Sequence, residues 1–102
     1  IMAQLQHLEL QKDATATGDG NELKADLGKG ITFYIKGTST PSATVEIQVL
    51  TPFNDWVSID SIAVTNTTPI IIQDGDGQYM KVRAKISAYT SGTINVVATL
   101  SS

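Results

Sequence analysis

The chain has 102 residues, 17% of them charged, and a formal net charge of −3. This length is typical of one hydrophobic core, so we predict a single domain over residues 1–102. Seven basic residues are too few for the positive surface of a general nucleic-acid-binding protein. No apolar run reaches the length of a membrane span, and the first residues lack the pattern of a secretory signal. We therefore expect neither nucleic acid nor a membrane as a partner.

Residue choice favours β-structure, because valine, isoleucine and threonine fill 31 of the 102 positions and these side chains pack well on a pleated sheet. Alternating apolar and polar residues, separated by turn residues, predict strands in chain order. We expect them near residues 3–12, 31–36, 44–49, 56–62, 70–72, 80–86 and 94–100, with 21–27 as a further strand or a single turn.

The connections complete this prediction. Residues 37–42 are expected to form a loop, and Ser91–Gly92 a hairpin turn. The alternation slips between Ile59 and Ile62, which indicates a β-bulge. Seven or eight strands with one apolar face each are typical of an all-β fold, an antiparallel β-sandwich of jelly-roll or Ig-like type.

The clearest strand predicts its own orientation. Val45, Ile47 and Val49 alternate with Glu46 and Gln48. The valines and the isoleucine are expected in the core and the two polar side chains outside it. On this view, replacing Gln48 by alanine changes the free energy of unfolding by less than about 0.5 kcal/mol.

Metal binding and catalysis find little support in the residues. Asp74-Gly75-Asp76-Gly77 resembles part of a calcium loop, but counting from Asp74 places Tyr79 and Lys85 where an EF-hand has glycine and glutamate. A hairpin turn explains this segment better. The chain has no cysteine, and His7 is its only histidine, so a cysteine-bound metal is excluded and a triad is unsupported. We expect no enzyme activity, no cofactor and no metal.

Five residues suggest contact surfaces. Lys81, Arg83 and Lys85 form a basic stripe on one face of a strand, which is either ordinary solvated surface or a contact for an acidic partner. Trp56 opens a strand, where it is either a core residue or an exposed aromatic. Phe53 lies in the preceding turn and has the same two alternatives. Aromatic side chains at loop tips often anchor interfaces or stack on sugars.

Four segments carry a resemblance to a known class of proteins. They read Ile31-Thr32-Phe33-Tyr34-Ile35-Lys36-Gly37-Thr38, Ala43-Thr44-Val45-Glu46-Ile47-Gln48-Val49, Asp55-Trp56-Val57-Ser58-Ile59 and, from Val82 onwards, a strand with Arg83 that leads to Tyr89-Thr90-Ser91-Gly92-Thr93. In this order they resemble small β-sandwich structural proteins of tailed bacteriophages, including head decoration proteins and tail or fibre modules. The Asp-Gly turn usual before the tryptophan is replaced by Phe53-Asn54-Asp55.

This resemblance implies a virion structural protein, and a capsid decoration protein in particular. Its partners would be other copies of itself, with a trimer favoured, and other virion proteins such as a major capsid protein. Its location would be the capsid or tail surface of the virion. The alternative is a carbohydrate-binding or host-attachment module, of a phage tail or fibre or of a secreted binding domain, with Phe53, Trp56 and Tyr89 as stacking platforms. A buried Trp56 favours the structural protein, and an exposed Trp56 beside polar residues favours the ligand site.

Overall fold

The computed structural model describes residues 5–24, 30–74 and 81–101, and these residues form antiparallel strands joined by short connections. The all-β prediction is confirmed. The strands are β1 (Leu5–Ala14), β2 (Glu22–Lys24), β3 (Gly30–Leu50), β4 (Trp56–Val64), β5 (Ile70–Asp74) and β6 (Lys81–Ser101). In the described part of the chain, no helix is long and apolar enough to cross a membrane.

The strands belong to one hydrogen-bonded sheet that is folded into two layers by β3 and β6, each 21 residues long. The first layer has the order β1, C-terminal half of β6, N-terminal half of β3, β5. The second layer has the order β2, N-terminal half of β6, C-terminal half of β3, β4. The inner faces of both layers contribute to a single apolar cluster, as in stacked sheets.

Both long strands bend at the same point. Three residues of β3, from Ser39 to Pro41, lie opposite the single residue Gly92 of β6. Ser39 has a φ of 60° and Gly92 a φ of 89°, and a Cβ on Gly92 would lie 2.5 Å from the Cα of Pro41. The predicted loop over 37–42 and the predicted hairpin at Ser91–Gly92 are thus bends inside continuous strands, because hydrogen bonding resumes on both sides of them.

The core follows the alternation of the clearest strand. Val45 and Ile47 are 0% and 1% exposed. The alternate apolar residues in the N-terminal half of β3 and in β6 are buried in the same core. The predicted bulge is confirmed, because Ile47 pairs with Asp60 while Gln48 pairs with Ser58, which leaves Ile59 as an extra residue on β4.

One buried polar side chain joins the two layers. Gln11 of β1 is 8% exposed, and its Nε2 donates to the carbonyl oxygens of Ala84, at 2.8 Å, and Gly18, at 3.1 Å. Gly18 in turn exchanges two backbone hydrogen bonds with Ile86. The connection between β1 and β2 is thereby fixed along the side of β6, beside the outer face of the second layer.

Candidate functional site

The outer face of the second layer brings together the polar side chains of three strands. Gln48 of β3 lies directly opposite Arg83 of β6 on one side and Ser58 of β4 on the other. Side chains opposite one another in an antiparallel pair point to the same face and interact across the strands. We call Glu46, Gln48, Trp56, Ser58 and Arg83 the Arg83 cluster.

A directed chain of hydrogen bonds crosses the Arg83 cluster. Arg83 Nε donates to Gln48 Oε1 at 2.8 Å, Gln48 Nε2 donates to Ser58 Oγ at 3.1 Å, and Ser58 Oγ donates to Glu46 Oε1 at 2.5 Å. This series of hydrogen bonds therefore runs from the Arg83 guanidinium to the Glu46 carboxylate. The bonds at its two ends are charge-assisted, which makes them the stronger ones. Gln48 points outward as predicted, but it is only 8% exposed because its neighbours cover it. Replacing Gln48 by alanine should therefore cost more than the roughly 0.5 kcal/mol or less expected of a solvated position.

Trp56 lies on this outer face, at the start of β4, and is half-buried. The guanidinium carbon of Arg83 lies 4.1 Å from the centroid of the indole ring, a cation–π contact. Trp56 is therefore not part of the apolar core. It lies partly exposed beside Arg83, between the buried position expected of a structural protein and the exposed position expected of a ligand site.

The basic stripe is charge-compensated along its length. Lys81 Nζ lies 3.5 Å from Glu22 Oε1, and Arg83 Nη1 lies 3.6 Å from Asp19 Oδ2. Lys85 is the direct cross-strand neighbour of Glu46. Each cation thus has a carboxylate next to it, which weakens the attraction that the stripe would exert on an acidic partner. The geometry agrees with a solvated, ion-paired face.

Hydrogen bonds hold the Glu46 carboxylate in its ionised form. Those from Ser58 and then Ser87 lower its pKa below the usual value, and the positive charge of Lys85 acts in the same direction. The carboxylate is thus ionised at neutral pH and accepts a hydrogen bond from the Ser58 hydroxyl. The series of hydrogen bonds across the Arg83 cluster therefore ends on a negative charge.

Phe53 is displayed by a tightly closed turn between β3 and β4. Thr51 Oγ1 accepts the backbone N–H groups of Phe53 and Asp55, and the Thr51 amide donates to the Asp55 carbonyl oxygen at 2.8 Å. Asn54 takes the left-handed conformation, with a φ of 70°, that such a turn requires. Phe53 is 86% exposed, so the structure places an aromatic ring in solvent at the end of the second layer.

Tyr89 lies apart from the Arg83 cluster. A shift of register between Thr44 and Val45 makes Ser87 an extra residue on β6, so Tyr89 returns to the inner side. Its ring packs against the core, and its hydroxyl donates to the carbonyl oxygen of Gly92 at 2.6 Å. The structure therefore does not bring Tyr89 together with Phe53 and Trp56, and its contacts are those of a residue that holds the bend.

The metal and catalytic candidates considered from the sequence lie largely outside the described residues. Residues 75–77 of the Asp74 turn and the side chains of Asp74 and His7 lie outside the described parts of the chain. Within the described parts, no group of three or more histidine, cysteine, aspartate or glutamate side chains could hold a metal ion.

Three members of the Arg83 cluster could not be recognised as site residues from the sequence. The alternation marks Gln48 and Glu46 only as outward-facing, and Ser58 has no signal of its own. Their meeting depends on the register between strands that are far apart in sequence. The alternation within one strand gives the face of each residue but not its cross-strand neighbour.

Comparison with known proteins shows the same fold in phage-derived proteins. The structure of SPBc2 prophage-derived protein YomS matches with a TM-score of 0.79 and 15% identity over 100% of this chain and 96% of that one. The PBSX exported protein XepA matches with a TM-score of 0.80 and 14% identity over 98% of this chain, which spans 38% of XepA. A protein of the disulfide-linked pili of Bacillus endospore appendages matches at 0.55, with 11% identity, over 97% of this chain and 86% of that one. At these identities the likeness concerns the fold. No protein-family model and no curated protein matches the sequence.

Proposed function

We propose that the chain is a non-catalytic structural protein of a tailed-phage or prophage particle, located on the virion surface as a capsid decoration protein. The observation that carries the proposal is the YomS comparison, in which a prophage-derived protein has this fold over nearly its whole length. The sequence resemblance to phage β-sandwich proteins points the same way. XepA, also phage-derived, contains the same fold as one part of a longer chain.

The surface chemistry supports a protein that works through contacts. The Arg83 cluster is fixed by hydrogen bonds and a cation–π contact, so its polar groups are held in place for contact with a partner. Phe53, at 86% exposed, and Ile71, at 60% exposed, are large apolar side chains that an interface would cover. Repetition on a symmetric particle strengthens weak contacts of this kind through avidity.

Binding to particles tests this proposal. The purified protein should co-sediment with particles produced by a phage that lacks its gene, and binding should saturate at a fixed number of copies per particle. It should bind less to particles that already carry it. Binding should locate to the major capsid protein by cross-linking. Failure to bind any particle component, at concentrations well above those of the particle, would refute the proposal.

A carbohydrate-binding or host-attachment module is the second candidate, and the position of Trp56 favours it. The indole is half-buried on the outer face, with the guanidinium of Arg83 over its ring. Aromatic rings next to fixed polar groups suit the apolar face and hydroxyl groups of a sugar.

A glycan-array screen distinguishes this second candidate. A defined sugar bound by the wild type and lost in Trp56→Ala would support it. Tyr34→Ala is the matched control, because it removes an exposed aromatic ring from the first layer, outside the Arg83 cluster. No binding to any glycan would leave the structural role as the only proposal.

A further inference from the structure

Four strands are edge strands, each with a hydrogen-bonded neighbour on only one side among the described residues. They are β1, β2, β4 and β5. The free edge of a strand presents unpaired N–H and C=O groups, to which another strand can be added. Proteins that must not associate protect such edges with charges, bulges or short strands. The four edges of this protein differ in that protection.

The edge formed by β4 is protected. Its ladder is interrupted by the extra residue Ile59. The next residue, Asp60, pairs with the buried Ile47 and so lies on the core side of the strand, where it is nevertheless exposed. A bulge and an inward-pointing charge on an edge strand are both features that oppose edge-to-edge pairing.

The edges formed by β1 and β2 are protected too. β1 carries Lys12 and Asp13 near its end, Asp13 has a φ of 49°, and the register shifts twice in this part of the strand. β2 has only three residues, and two of them are the charged Glu22 and Lys24.

The edge formed by β5 has the least protection: its pairing with β3 shows no bulge, and its single charged residue, Asp74, is the last of its five residues. Residues 70–73 read Ile-Ile-Ile-Gln, with no charge and no proline, and their pairing with β3 is regular. Ile71 is 60% exposed and lies directly opposite Tyr34, which is 42% exposed and has Val97 as its other neighbour. An apolar row on the outer face of the first layer therefore runs to this edge and ends there.

We propose that the β5 edge is a self-association surface, on which β5 of a second copy pairs antiparallel to form a two-fold dimer with one sheet continuous across both copies. The occupant is a second copy because residues 70–73 of β5 are themselves the uncharged, isoleucine-rich segment that such an edge accepts. A two-fold axis satisfies both free edges at once, and it places the two exposed Ile71 side chains close to each other. The inference rests on the proposed function for its role, since it names one of the contacts through which the protein would assemble.

The test is sedimentation velocity of four proteins over a wide concentration range: the wild type, Ile71→Lys, Ile71→Glu and the control Ile59→Lys. Ile71 and Ile59 are both exposed, at 60% and 43%, so the same substitution is made at two free edges without disturbing the core. We expect a wild-type dimer, and roughly tenfold or more weaker dimerisation in Ile71→Lys because like charges then face each other across the axis. The control should dimerise like the wild type.

Mixing provides the sharper result. An equimolar mixture of Ile71→Lys and Ile71→Glu should recover the dimer that each variant alone has lost, because a two-fold pairing brings position 71 of the two copies together. Circular dichroism should show that every variant is folded.

The contradicting outcomes are distinct. The wild type could form an oligomer, such as the trimer expected from the sequence resemblance, that Ile71→Lys does not weaken. That result would overturn the β5 interface and leave the proposed function standing. A wild type that stays monomeric at every concentration would overturn the interface, and particle binding would then decide the proposed function separately.

Discussion

Replacement of Gln48 by alanine gives the most informative test of the Arg83 cluster. Gln48 accepts a hydrogen bond from Arg83 and donates one to Ser58, and the Arg83 side chain is only 13% exposed. Water can therefore replace the lost acceptor only in part. A hydrogen bond to a charged group contributes about 1.5–3 kcal/mol and a neutral one about 0.5–1.5 kcal/mol. Allowing for partial hydration, we expect the free energy of unfolding to fall by about 1–3 kcal/mol.

Urea unfolding followed by circular dichroism measures this change, and a loss of 1 kcal/mol corresponds to a fall in Tm of about 4–8 °C for a domain of about this size. A double-mutant cycle with Arg83→Met should give a coupling of about 1 kcal/mol or more, because the two side chains interact directly. Ser61→Ala, at an exposed position of β4, is the control and should stay within about 0.5 kcal/mol. If Gln48→Ala lowers the free energy of unfolding by less than about 0.5 kcal/mol and shows no coupling to Arg83→Met, the two hydrogen bonds assigned to Gln48 are refuted. Gln48 would then be the solvated residue expected from the sequence.

Four further predictions follow from the fold and the site. Ile47→Ala, at a core position 1% exposed, should lower the free energy of unfolding by about 2–5 kcal/mol in urea titration; a cost like that of a surface position would place the strand in the wrong register. Gly92→Ala should lower the Tm, because its φ of 89° disfavours a side chain and a Cβ there would meet Pro41; an unchanged Tm would contradict the shared bend. The lowered pKa of Glu46 implies a contribution to stability that is present above its unfolded pKa and is lost as the pH falls through its folded pKa. Glu46→Gln should therefore flatten the fall in the free energy of unfolding below about pH 4.5. A variant with the same pH profile as the wild type would contradict the hydrogen bonds assigned to Glu46. Excess chelator or millimolar calcium should move the Tm by less than about 2 °C, because the sequence from Asp74 lacks the glycine and glutamate of an EF-hand loop. A large calcium-dependent rise would show a metal site.

The fold was predictable from sequence wherever alternation within one strand carried the information. Val45 and Ile47 are buried as predicted, and the slip near Ile59 is a bulge, because period-two burial is a local property of the strand. The continuity of β3 and β6 was not predictable in this way. Gly, Pro and Ser residues in 37–42 are typical of loops, and only pairing with the opposite strand shows that hydrogen bonding resumes beyond Pro41.

The candidate site was predictable only residue by residue. Trp56 and Arg83 were identified as contact candidates, but their stacking depends on the register that sets β6 beside β3 and β3 beside β4. Tyr89 was grouped with the other aromatic side chains, and the extra residue Ser87 turns it to the inner side. The charge compensation of the basic stripe was equally hidden, because Asp19 comes from a connection whose path over β6 the sequence pattern does not show.

Electron cryomicroscopy of particles with and without the gene is the decisive test of the proposed role as a structural protein on the surface of a phage particle. We expect density at regularly repeated positions on the head surface that fits this β-sandwich, disappears when the gene is deleted and returns when purified protein is added. Identical particles in both preparations, together with a monomeric protein that binds a defined sugar through Trp56, would refute this role and establish the attachment module in its place.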